Sequence, residues 1–246
     1  MPENNLEWVA VYPVYSFIAV TLFAFIHLFG GRVVSMQGEF FRKYFYSVGG
    51  GVAIAYVFID LMPKLCVSDA LVSTAMQQYL PSMEKHVYLM ALAGFILFYL
   101  EDRSERSSIG MKLSILSYSL FNFLVGYAIA DPYNPEVRPL MLFTIALGLH
   151  FFVNDNALYE KLGEDYRMKE RWQLALMLYL GWVIGFAYEL PATAVALVSA
   201  FIGGGVVMNV IRHELPSENP NSTAAFLTAT FFYAALLFFL GQRSLF

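Results

Sequence analysis

Eight apolar runs, separated by short charged or turn-forming stretches, divide the chain at residues 8–30, 45–63, 86–101, 112–130, 138–158, 172–189, 192–211 and 223–241. A hydrocarbon layer about 30 Å thick is crossed by about 20 helical residues, and the runs approach that length. Strands of a closed membrane barrel would show alternating segments of about ten residues; these runs are longer and continuous. The pattern predicts an all-α integral membrane protein with eight transmembrane helices, forming a single domain over residues 1–246. The connection at roughly 64–85 is mildly polar, contains Cys66 and Pro81, and reads as a surface loop.

Two of the runs share a pattern. Gly49-Gly50-Gly51-Val52 opens a helix closed by Asp60-Leu61-Met62-Pro63, and Gly203-Gly204-Gly205-Val206 opens one closed by Glu214-Leu215-Pro216. Small residues and flanking prolines are common in membrane helices because they permit close packing. A matched pair is also the trace of an internal repeat, and inverted repeats place substrate sites at the repeat interface near mid-bilayer. Gly181 and Gly185 form a GxxxG pair, which predicts a close helix contact.

Composition agrees with a membrane chain: 59% hydrophobic and 14% charged residues, against about a quarter charged in soluble domains. Aromatic residues reach 17%, suiting lipid-facing and interfacial positions. One Cys excludes a disulfide framework, and a scattered net charge of −4 gives no basis for nucleic-acid binding. The first residues are acidic, whereas a cleaved signal needs a basic start, so the first run is expected to remain in the protein. Loops after odd-numbered spans carry Arg32, Arg42, Lys43, Arg103, Arg106, Lys112, Lys161, Arg167, Lys169, Arg171 and Arg212; the opposite side has Lys64, Lys85, Arg138 and Arg243. That bias places both termini on the non-cytoplasmic side, in a multi-pass topology. Under it the two Gly-Gly-Gly helices run in opposite directions.

Ionisable and amide groups inside spans are costly and therefore candidates for function. Tyr118 and Asn122 in span four share a helix face, as do His150 and Asn154 in span five, with Asp155 and Asn156 beside them. Asn122 lies ten residues past Lys112 and His150 twelve past Arg138, so the two pairs fall at similar depth. In the repeat helices Asp60 and Lys64 are four apart, as are Asn209 and His213, with Glu214 following. An ion pair at the membrane rim is the simpler reading of Asp60 and Lys64. Asn122 and Asn154 read equally as interhelical hydrogen-bonding glue, and His213 and Glu214 as a solvated helix end. Glu160 to Arg171 alternates in charge like a solvated helical face. No nucleophile triad, phosphate loop or HExxH motif is present, and spans six to eight hold no mid-span lysine for retinal-type chemistry. The chain is not expected to be an enzyme.

The layout resembles the ZIP (Zrt/Irt-like) family of divalent metal transporters. The family's second helix ends in His-Leu-x-Pro-Glu, where this chain has Asp60-Leu61-Met62-Pro63-Lys64. Its fourth carries His-Ser/Asn-x-x-Asp-Gly, where Tyr118-Ser119-Leu120-Phe121-Asn122-Phe123 stands. Its fifth carries His-x-x-x-Glu, where His150 to Asn154 stands, and its seventh is glycine-rich and ends in an acidic-Pro pattern like Gly203 to Pro216. The resemblance covers nearly the whole chain and rests more on layout than on identity. It implies an inverted repeat of helices 1–3 against helices 6–8. It also implies metal-binding positions at Tyr118, Asn122, His150 and Asn154, with Asp155 and Asp60 as further carboxylates. Of the family's ligands in helices four and five only His150 is kept. Neutral Tyr and amide oxygens do not offset a divalent charge, and zinc wants His, Cys or carboxylate. Asp155 points about 100° from Asn154 on a regular helix.

Two functions follow. One is ZIP-like membrane transport, of a weakly bound divalent metal ion such as zinc or of another small solute, by rocking of the bundle around a mid-membrane site. The other is a transport-inactive ZIP-fold protein acting as a structural or assembly subunit of a larger membrane complex. Persistence of His150, Asp155 and Asp60 favours the first, and ligand loss favours the second. The partners expected are the lipid bilayer and a homodimer or larger membrane complex.

Overall fold

The computed structural model describes residues 3–35, 39–76, 85–103, 108–130, 137–162, 169–215 and 220–241. Every regular element among them is a helix: α1 (Glu3–Ser35), α2 (Glu39–Tyr56), α3 (Met62–Met76), α4 (His86–Arg103), α5 (Ser108–Ala130), α6 (Val137–Leu162), α7 (Lys169–Ala187), α8 (Ala192–Asn209) and α9 (Pro220–Gly241). A π-helical turn, Val57–Leu61, joins α2 to α3 without a break, so the described residues form eight rods. A second π turn, Val210–Glu214, extends α8. Each predicted span falls on one rod, except that the sixth runs past the end of α7 at Ala187.

Among the described residues, four stretches are both long and apolar enough to cross a membrane: Tyr12–Gly30, Tyr44–Ala75, Ala192–Arg212 and Ser222–Phe239. Three further apolar stretches, His86–Leu100, Ile115–Ala130 and Pro139–Val153, are shorter. The outward face of α9 shows Phe231, Phe232 and Phe239 each about seven-tenths exposed. Such a face suits hydrocarbon rather than water.

The supposed loop at 64–85 is largely helix, since α3 runs to Met76. Proline lacks an N–H and its ring collides with the carbonyl four residues back, which ordinarily stops a helix. Here the π turn precedes Pro63, and the Met62 N–H donates to Val57 O, five residues back. The widened turn relieves the clash, and the helix continues. Leu65 and Val72, two turns apart, then bury against Val87 of α4 and Ala196 and Ala200 of α8. The other π turn has the opposite outcome: Leu215, the residue before Pro216, is extended at ψ 138° and the helix ends. Residues 77–84 lie outside the described set.

Helices pair closely. The broadest contacts join α5 to α7, α4 to α8, α2 to α9, α1 to α6 and α1 to α7, with α2–α6 and α5–α8 contacts between them. Glycine sets the tightest approaches. A Cβ at Gly204 would lie 1.8 Å from Ala91 O, and one at Gly51 would lie 2.5 Å from Phe226 O. The expected contact at Gly181 and Gly185 is present: added Cβ atoms there would meet Phe123 O at 2.0 Å and the Ala130 side chain at 2.5 Å, both on α5. The central core joins Phe23 of α1, Val57, Phe98 of α4, Phe121 of α5, Phe151 of α6, Leu178 of α7 and Val206 of α8.

Candidate functional site: a buried His–Asp–Asn network

The main buried polar cluster lies where α1, α5 and α6 meet. The apolar stretch of α1 carries His27, which is fully buried. Its Nδ1 lies 2.8 Å from Oδ1 and 3.0 Å from Oδ2 of Asp155 on α6. Its Nε2 lies 2.7 Å from Oδ1 of Asn122 on α5. Asn122 is itself fully buried and Asp155 is 1% exposed.

The helices fix each group. Asn122 Nδ2 donates back to the Tyr118 carbonyl at 2.8 Å, one turn earlier on α5, a local bond of the kind Asn side chains make to backbone. That bond leaves Asn122 Oδ1 as the acceptor facing His27, so Nε2 must donate. On the other edge of the ring Nδ1 faces a carboxylate. A proton between Nδ1 and the carboxylate completes the chain, so the ring is held between a carboxyl group and an amide oxygen. Aromatic rings wall the network: His27 packs against Phe151 with centroids 4.6 Å apart, and Phe151 meets Phe23 at 5.0 Å and Phe121 at 6.2 Å. In so apolar a setting an isolated charge would be prohibitive, and pairing is what makes it tolerable.

Of the positions singled out in the sequence, Asn122 and Asp155 come together here, and Tyr118 joins through its backbone carbonyl. The Tyr118 ring instead packs edge-on to Phe98, centroids 5.4 Å apart. His150 is buried on α6, 1% exposed, but five residues before Asp155 it is turned about 140° around the helix axis. The Asn154 side chain lies outside the described residues, as do those of Asn156, His213 and Glu214; residues 163–168 of the charged stretch are outside as well. Asp60 sits apart, accepting from Lys64 Nζ at 2.8 Å in the i,i+4 ion pair expected from their spacing. Asp155 reaches the network from a regular helix, because its partner His27 is on α1. Asn209 is 3% exposed, and its Nδ2 has no hydrogen-bond partner among the described residues.

His27 was absent from the sequence candidates. It has no polar neighbour at helical spacing, so a search for paired groups passes over it. The available signal was simpler, a single ionisable residue inside Phe25-Ile26-His27-Leu28-Phe29. Smaller polar contacts tie α7 to two of these helices, α5 and α1: Gln173 Nε2 donates to Ser119 Oγ at 2.8 Å, Trp182 Nε1 to Ser16 Oγ at 3.1 Å, and Tyr179 to Thr21 Oγ1 at 3.0 Å.

As a donor set for a metal the cluster is poor. It offers one carboxylate, one amide oxygen and an imidazole whose two nitrogens are both engaged. Among the described residues no group of three His, Cys, Asp or Glu side chains could hold a metal ion. No protein family, curated protein or solved structure matches the chain.

Proposed function

We propose that this chain is an eight-span membrane protein of ZIP-like layout whose central site is filled by its own side chains. On this reading it does not carry a divalent metal and serves as a structural or assembly subunit of a larger membrane complex. The observation that carries the proposal is His27, which takes up acceptor positions of both Asn122 and Asp155 inside the bundle.

Two further observations support the inverted-repeat layout. The main packing pairs survive an exchange of spans 1, 2, 3 and 4 with spans 6, 7, 8 and 5. Under it the α2–α9 pair maps onto α8–α4, α1–α6 onto α7–α5, α2–α6 onto α8–α5, and α1–α7 onto itself. Aligning Pro63 with Pro216 also aligns Val57 with Val210, the first residues of the two π turns, and Gly51 with Gly204, the two close-approach glycines. Such a correspondence is what repeat architecture leaves in a membrane fold.

A second reading, ZIP-like transport of a divalent cation through the same bundle, has one observation in its favour. A buried ionisable pair within apolar helices is expensive to keep and commonly marks an ion pathway. Zinc and cadmium titration of the purified protein, with uptake into proteoliposomes, separates the two. The closed-site reading expects neither saturable binding up to millimolar metal nor uptake above empty vesicles. Stoichiometric binding that disappears in Asp155→Asn would establish the transporter reading instead.

A further inference from the structure

Two acceptors on different helices, Asn122 Oδ1 on α5 and the Asp155 carboxylate on α6, converge on one position, and a ring from a third helix fills it. We infer that His27 is a tethered ligand: Asn122 and Asp155 form a recognition site for a flat nitrogen cation with N–H donors on opposite edges, and the α1 imidazole occupies that site from within. This inference rests on the closed-site reading and says what the site is built to hold.

The Asn122 acceptor is oriented without help from His27. Asn122 is oriented by its own bond to the Tyr118 carbonyl at 2.8 Å, so its oxygen already faces inward. The carboxylate offers both oxygens to one nitrogen, at 2.8 and 3.0 Å. The Phe151 ring stands beside the imidazole, with centroids 4.6 Å apart and planes tilted by 46°. Three residues beyond His27, Gly30 lets α1 approach α6 so closely that a Cβ would lie 2.9 Å from the Phe152 ring. One amide oxygen at one edge, two carboxylate oxygens at the other and a neighbouring aromatic ring describe a slot for imidazolium or a similar flat cation. A compact spherical cation would want several oxygens around it at shorter range.

The test is chemical rescue. Purified His27→Ala protein is melted with and without imidazole at tens of millimolar and neutral pH. Removing the ring should lower Tm by on the order of 10 °C, since it leaves a buried carboxylate without its cation. Imidazole should restore at least half of that loss and leave the native protein unmoved. N-methylimidazole, which has only one N–H when protonated, should restore little. The His27→Ala/Asp155→Asn protein should not respond. A folded His27→Ala protein that imidazole fails to stabilise, or that N-methylimidazole stabilises equally, would overturn the inference. So would an equal response in the double variant.

If His27→Ala does not fold, the native protein labelled with 15N-histidine supplies the decision. One-bond N–H couplings at both His27 nitrogens are expected, and an unprotonated ring nitrogen refutes the tethered-cation picture. Saturable zinc binding by the native protein would sink the closed-site reading and this inference with it, whereas failed rescue with no zinc binding would sink this inference alone.

Discussion

Replacing His27 and Asp155 by leucine, singly and together, measures whether the buried pair acts as a unit. Both side chains are essentially inaccessible, at 0% and 1% exposure, and their closest approach is 2.8 Å. Removing one member of such a pair costs about 3–5 kcal/mol, because the other is left uncompensated in an apolar core. The two single variants are not equivalent. In Asp155→Leu the ring keeps its Nε2 bond to Asn122, so the cost should sit near the lower end. In His27→Leu the carboxylate stays without its cation, and the cost should sit near the upper end. With both replaced, the pair is removed together, and Asn122 Oδ1 loses its donor at a cost of about 1–3 kcal/mol. The double variant should therefore be more stable than His27→Leu by roughly 2 kcal/mol, or about 4–8 °C in Tm for a chain of this length. Thermal unfolding in one detergent, followed by tryptophan fluorescence, reads all four proteins. Strictly additive losses, or a double variant less stable than either single one, would refute the buried-pair reasoning.

Other expectations follow from the packing. Gly204→Ala should cost about 1–3 kcal/mol by forcing α8 off Ala91, while Gly148→Ala, whose nearest new contact would be 3.5 Å, should melt close to the native protein. Asn209→Leu should leave thermal stability unchanged or raise it by about 1 kcal/mol, because it removes a buried donor with no acceptor among the described residues. Lys64→Ala should shift stability by no more than about 0.5 kcal/mol, since the lysine side chain is 55% exposed and the pair spans a single helix turn; a large loss in chemical denaturation would give Asp60 a role beyond that of an exposed ion pair.

The helices were legible because apolar run length is a direct consequence of bilayer thickness. The α3 extension was not, because Pro63 and the polar Ser68, Asp69, Ser73 and Thr74 resemble loop composition. The signal that survived was the spacing of Leu65 and Val72 on one face, with no further Pro or Gly before Met76. In the site, spacing within a helix identified Asn122 but favoured Asn154 over Asp155. Residues four apart share a face, yet sequence does not tell which neighbour that face meets. Asp155 became the network's carboxylate because α1 packs against α6, a relation that only the tertiary fold supplies. For the same reason His27, alone on its helix, acquires its meaning from partners 95 and 128 residues away.

An experimental structure determined in the presence of millimolar cadmium tests the central claim most directly. The account expects the His27 ring between Asn122 and Asp155, with no anomalous density within 3 Å of either acceptor, on the order of the longest hard-cation contacts. Cadmium bound to Asp155 with the imidazole displaced would contradict it.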